Sequence, residues 1–246
     1  MRRRWTSYAG APLRARNWRA LANIARTVVR PAGFLLRYTA GRGSYPAEVR
    51  VRTPTGIVPL TLYSPDDAAT VNEVFCRLDY AVGTGVRTVL DIGANIGISA
   101  AYFLSRNEEV RVICFEPAPA NLPRLRAQLE RFGDRAEIRE VAVAVEDGDV
   151  EFGVEPTGRY GSMWIPDGYE RITVPCRSIN GVLEDVLASA GHVDVLKLDT
   201  EGMEQRTIEA IRPELAARIG LIVYEGLTGE VARVQPGRPG EKATTR

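Results

Sequence analysis

The sequence predicts an α/β fold, with a mostly parallel, doubly wound sheet carrying helices on both faces and a helix and hairpin ahead of it. Three observations carry this expectation. From residue 88 onward short apolar strands alternate with helical segments, a glycine turn (Gly93-Ala94-Asn95-Ile96-Gly97) joins the first of these strands to its helix, and two later strands run into acidic residues. Strands that alternate with helices favour parallel pairing through right-handed crossovers. With 246 residues, 45% hydrophobic and 26% charged, the chain can build one sizeable core plus an extension.

The elements follow in order. Residues 1–45 hold ten arginines and neither Asp nor Glu, so a basic arm precedes a net acidic body. Within the arm, Trp18, Leu21, Ile24, Ala25 and Val28 recur at helical spacing over residues 16–29, and Pro31 limits that amphipathic helix. Residues 48–52 and 57–62 flank the turn Thr53-Pro54-Thr55-Gly56 as a hairpin, and a helix is expected over 66–80. Strand 88–91, helix 98–105, strand 110–115, helix 120–132 and strand 136–145 come next. Residues 149–154 and 172–176 read as an antiparallel insertion, with Gly158, Gly161 and Gly168 between its arms. Strand 193–198, helix 203–211 and strand 220–224 then resume the parallel pattern. This order divides the chain into an N-terminal extension (1–45), a main α/β domain (46–226) and a polar, structureless tail (227–246).

Charge and composition narrow the function classes. A net charge of +1 gives no reason to expect nucleic acid as the partner. The basic arm, with Trp5, Trp18, Phe34, Leu35, Leu36 and Tyr38, suits either an anionic membrane surface or a helix packed on the body. Cys76, Cys114 and Cys176 are odd in number and widely spaced, which fits a reducing compartment better than a disulfide scaffold or a zinc site. Arg26, Arg30, Pro31 and Arg37 interrupt the one candidate membrane-spanning stretch. A cytoplasmic protein is expected, free or peripheral to the inner face of the membrane. The single histidine, His192, excludes a multi-histidine metal site and a His-centred triad.

Two constellations carry chemistry. In Val89-Leu90-Asp91-Ile92-Gly93-Ala94-Asn95-Ile96-Gly97, Gly93 and Gly97 let the backbone turn tightly and let a ligand approach a helix start. The spacing is G-x-N-x-G and not G-x-G-x-x-G, which favours a cofactor with its amino-acid end over the loop rather than a dinucleotide. Glu116 closes the next strand, well placed to accept the hydroxyls of a ribose. The plainer alternative is a glycine turn near an unrelated acid. The second constellation, Asp194-Val195-Leu196-Lys197-Leu198-Asp199-Thr200-Glu201-Gly202, delivers Asp199 and Glu201 to a strand end where open α/β sheets bind ligands. Glu225 arrives likewise at the end of the fifth strand. Asp199 or Glu201 could take a proton from an acceptor hydroxyl, or help hold a divalent cation that acidifies it. Glu201 has helix capping as its structural alternative. Lys197 could pair with one of these acids inside the sheet.

The glycine loop, Phe115-Glu116-Pro117 and the run Asp194 to Glu204 together resemble the FkbM-type methyltransferases over roughly residues 48–225, and Asp66-Asp67 and Asn72-Glu73-Val74-Phe75 are similar to that family as well. The resemblance implies a class I methyltransferase (Rossmann-like) fold, S-adenosylmethionine as donor, and an O-methyl product on a sugar, lipid or polyketide-like hydroxyl. It implies that Asp91, Gly93, Asn95 and Gly97 hold the methionine end, Glu116 the ribose, and Val141 and Ala142 the adenine edge. Asp199, Glu201 and Glu225 are the candidate catalytic acids. The acceptor class expected is a small molecule, glycan or lipid-linked hydroxyl. The same fold could also serve methyl transfer to nitrogen or carboxylate, or a non-catalytic binding module. One departure stands out: residues 226–246 are expected to add no strand, which would leave the sheet edge open or covered by a partner.

Overall fold

The computed structural model describes residues 15–155, 161–162, 165, 168–200, 202–225 and 231–236. Two compact units are present, residues 1–83 and 84–246. The hairpin and following helix, which the sequence pattern assigns to the main domain over residues 46–226, fall in the first unit.

In the first unit, helix α1 (Ala15–Thr27) and helix α2 (Pro31–Ala40) precede an antiparallel pair, β1 (Ala47–Thr53) and β2 (Gly56–Leu62). Val49 and Val51 on β1 and Val58, Leu60 and Leu62 on β2 are buried, alternating with outward side chains as a half-buried hairpin requires. Helix α3 (Pro65–Val71) starts on a capping box in which Ser64 and Asp67 satisfy each other's backbone N–H groups. It continues as a π-helical turn, Asn72–Arg77, that ends with Leu78 in the left-handed region. The single helix expected over 66–80 is thus broken in pitch and stops earlier.

The second unit is built on a six-stranded sheet. Strands β3 (Thr88–Ile92), β4 (Arg111–Phe115) and β5 (Ala136–Arg139) alternate with α4 (Ile98–Leu104) and α5 (Leu122–Leu129). Strand β6 (Ala142–Ala144) leaves this sheet and joins β7 (Gly148–Val154), β8 (Gly161–Ser162) and β9 (Glu170–Ser178) in a second one. Helix α6 (Ile179–Ala190) leads to β10 (Val193–Leu198), followed by α7 (Glu204–Glu209), α8 (Pro213–Ala216), β11 (Ile219–Glu225) and β12 (Val231–Val234). The main sheet runs β12-β11-β10-β3-β4-β5, parallel except for β12. Chain order reverses at β3, so the switch point lies between β3 and β10, and the crevice beyond their carboxyl ends is where such sheets take ligands.

Alternation along β3 and β10 assigns the faces. Leu90, Ile92, Leu196 and Leu198 pack with Ile179, Val182, Leu183, Val186 and Leu187 of α6. Asp91 points to the opposite face, where Ser99 of α4 bonds it. Helices therefore cover both faces, as the alternating pattern predicts.

Three differences from the sequence pattern have physical causes. The run 136–145 looks like one strand, yet it bends at Glu140 and Val141 and serves two sheets in turn. Helix α6 is signalled by Ser178, whose side chain accepts from Gly181 N, by apolar residues at helical spacing, and by Gly191 as its C-cap. Most consequential for the edge, β12 lies within the segment expected to be a structureless tail. It pairs antiparallel with β11, Ile222 opposite Val234 and Glu225 opposite Val231, so the edge of β11 is covered by the chain's own residues.

Candidate active site

The carboxyl ends of β3, β4, β10 and β11 lie along one margin of the sheet and present Gly93, Glu116, Asp199 and Glu225 there. The glycine loop leaves β3 with its backbone tied to β4: the Gly93 and Ala94 amides donate to Phe115 O at 3.0 and 3.1 Å. Gly93 and Gly97 have φ of +75° and +88°, and Asn95 between them has +50°. Such values are open to glycine and tolerated by asparagine. A Cβ on Gly93 would overlap the backbone carbonyl of Asp199, so close contact between the loop and the end of β10 requires glycine there.

Glu116 is 4% exposed. Its Oε2 accepts from Asn95 N at 2.8 Å, and its Oε1 from Ala118 N at 3.0 Å and Asn121 Nδ2 at 3.2 Å. Burial raises its pKa above the ordinary carboxylate range, against the pull of these three donors. The carboxylate thereby latches the glycine loop to the end of β4. Of about four acceptor positions on a carboxylate, three are engaged.

Under the loop lies a buried charge array. Lys197 and Asp91 face each other across β10 and β3, both fully buried. Lys197 Nζ stands 2.9 Å from Asp91 Oδ1 and 3.6 Å from Asp199 Oδ2, and donates to Gly93 O at 2.7 Å. Asp91 Oδ2 accepts from Ser99 Oγ at 2.6 Å. Burial works to lower the Lys197 pKa, but the carboxylates of Asp91 and Asp199 outweigh it and hold the ammonium above its ordinary value. The lysine is therefore a fixed cation.

The acidic segment after β10 is shaped by a residue that the sequence pattern gives no role. Buried Glu204 accepts from Thr200 N at 2.7 Å and from Gly202 N at 3.0 and 3.1 Å. The signal was a carboxylate four residues beyond Thr200, facing backbone amides left over between strand and helix. Ser99 and Asn121 are likewise legible only once the fold brings them beside Asp91 and Glu116.

The predicted residues distribute as follows. Asp91, Gly93 and Asp199 come together around Lys197, and Asn95 meets Glu116. Gly97 caps α4, facing Leu125 and Leu129 of α5. Val141 follows β5 and packs partly against the cluster that contains Phe115, while Ala142 is buried in β6. Glu225 stands one position beyond the pair Leu198 and Tyr224, at the carboxyl end of β11. Glu201, like Trp5 and Gly158, lies outside the described residues. Among the described residues no group of three or more His, Cys, Asp or Glu is arranged to hold a metal ion, and no helix is long and apolar enough to cross a membrane.

Comparison with known proteins gives this geometry a setting. A profile of the methyltransferase FkbM domain matches residues 91–236. The AMB antimetabolite synthetase AmbE of Pseudomonas aeruginosa is 35% identical over 193 residues, 63% of this chain and 9% of that protein. The 2-O-methyltransferase NoeI of Sinorhizobium fredii is 27% identical over 135 residues, 49% of this chain and 55% of that protein. The chain thus spans less than two thirds of either relative. Solved structures with similarity include a precorrin-6y C5,15-methyltransferase from Geobacter metallireducens (16% identity, TM-score 0.36, covering 69% of this chain and 66% of that one). An O-methyltransferase family protein from Burkholderia thailandensis is similar at 15% identity and TM-score 0.35, covering 65% and 40%.

Proposed function

The chain belongs to the FkbM methyltransferase family, and from that premise we propose that it moves the methyl group of S-adenosylmethionine to a hydroxyl oxygen on a glycan, glycolipid or other secondary metabolite. The observation that carries the reading is the meeting of a glycine loop, a ribose-suited carboxylate and an accessible acid at one switch point. The residues fit such a donor. Gly93 and Gly97, both at positive φ, let the loop turn tightly at the end of β3, and Glu116 is held at the end of β4 with acceptor capacity remaining. Val141 and Ala142, just past β5, are assigned to the adenine edge on the same reading.

The bound donor would supply an electrophilic methyl group on a positively charged sulfur. The protein's share is then positioning and proton management. Asp199, whose side chain is 30% exposed, is the acid through which an acceptor hydroxyl loses its proton as its oxygen attacks. Glu225, at the carboxyl end of the neighbouring strand β11, is the second candidate acid on this margin. The relative named as a 2-O-methyltransferase favours oxygen over nitrogen or carboxylate as the methyl acceptor. A divalent cation is not needed for this scheme. Incubation with methyl-labelled S-adenosylmethionine and extracts fractionated into glycans, lipids and small molecules tests it. Label in an alkali-stable ether on a hydroxyl fraction supports the reading, and label confined to amines or alkali-labile esters sinks it.

The basic arm adds a proposal about location. Ile24, Val28 and Phe34 of the arm are buried in the first unit, so the contact proposed is electrostatic: ten arginines without an acid in residues 1–45 suit an anionic membrane surface at the cytoplasmic face, and with it a lipid-linked acceptor. Co-sedimentation with phosphatidylserine vesicles that weakens with salt is the expected result, and equal recovery with neutral vesicles contradicts it.

A further inference from the structure

We propose that Lys197 is a positioning residue that couples the two halves of the site, one buried ammonium holding the carbonyl of Gly93 in the donor loop and the carboxylate of Asp199 on the acceptor side. The idea rests on the donor and acid assignments proposed above, while its structural core stands on this chain's own contacts.

A lysine in mid-sheet is an unusual choice. It is 1% exposed and its strand neighbours Val195, Leu196 and Leu198 are all apolar and buried. A buried ion pair between Lys197 and Asp91 gives little net stability compared with two apolar residues of similar volume. Its contacts go further than that pair needs. The ammonium has three N–H donors on a flexible stem. It lies 2.9 Å from Asp91, 2.7 Å from Gly93 O and 3.4 Å from Ile92 O, and 3.6 Å from Asp199. Three segments converge on one atom: the end of β3, the first residue of the glycine loop and the end of β10. Asp91 is anchored from the far side by Ser99 of α4. The backbone adds a second tie between the same segments, since Asp199 N donates to Ile92 O at 3.1 Å.

The arrangement makes the donor loop and Asp199 a single mechanical unit. Displacing the loop by removing the cation also releases the acid.

Amide hydrogen exchange on the full chain tests the coupling without an acceptor. In Lys197→Met, amides of residues 92–97 and of residues 198–200 should exchange at least about tenfold faster, in step, while those of β4 and β5 keep the wild-type rate. The Kd for S-adenosylmethionine should weaken about tenfold or more in parallel. Should the lone Asp91 carboxylate prevent folding, Asp91→Asn/Lys197→Met removes it and is compared with Asp91→Asn alone, with the same two segments expected to loosen together. Faster exchange throughout the sheet, or loosening of only one of the two segments, overturns the proposal. Failure of the donor reading is a separate outcome: wild-type protein that binds no S-adenosylmethionine would sink that assignment while the exchange result still decides the coupling.

Discussion

Gly93 lies so close to Asp199 that its missing side chain is the space the Asp199 carbonyl occupies. The first residue of the donor loop and the acid of the next strand over are therefore in backbone contact, and loop geometry is tied to the position of the candidate base.

Gly93→Ala should be worse than Gly97→Ala. At Gly93 the added methyl group meets backbone, which cannot step aside, and φ is +75°. Destabilisation of at least about 2 kcal/mol is expected with loss of donor binding. At Gly97 the nearest atom, 2.8 Å away, is the end of the Leu125 side chain, so the cost is mainly the positive φ, about 1 to 2 kcal/mol. Denaturant unfolding of both variants measures this, and equal losses contradict it.

Asp199→Asn preserves shape and removes the charge that takes the proton. Turnover should fall roughly a hundredfold or more, with donor Kd changed by no more than about threefold. A variant with full turnover removes Asp199 from the mechanism.

Glu204 stabilises the acidic segment through Thr200 N and Gly202 N. Glu204→Ala strands those amides and should cost about 2 to 3 kcal/mol in unfolding free energy, with lower turnover. Unchanged stability would show that the segment holds its shape without the carboxylate.

The raised pKa of Glu116 gives a pH signature with opposite signs for stability and binding. A carboxyl whose folded-state pKa exceeds its unfolded value contributes stability that is complete below the ordinary value of 4.5 and is lost as pH rises through the raised value. Donor affinity should instead rise over that window, because the ionised form accepts the ribose hydroxyls. Glu116→Gln, which cannot ionise, should lack both slopes, as unfolding and titration series would record.

The parts of this molecule that were legible in the sequence are those fixed locally. Alternation in Glu48-Val49-Arg50-Val51-Arg52 specifies one buried face, and a glycine turn between strand and helix specifies a ligand-facing loop. The strand ends carrying Glu116, Asp199 and Glu225 follow from apolar runs that stop at an acid. What stayed hidden depends on tertiary pairing. Val231-Ala232-Arg233-Val234 is too short and too mixed to declare itself a strand until β11 offers an edge, and its pairing removes the open-edge argument for a non-catalytic module. The bend at Glu140 and Val141 is invisible in a continuous β-prone run. Lys197 is expected from the sequence to pair with one of the strand-end acids and does approach Asp199, but its nearer partner, Asp91, follows only from the register of β10 on β3.

Calorimetric titration of the purified chain with S-adenosylmethionine and with S-adenosylhomocysteine tests the central claim most directly. Micromolar binding of both, lost in Glu116→Ala that remains folded, is the predicted result. A folded wild-type protein that binds neither would contradict the assignment of this strand-end site to the methyl donor.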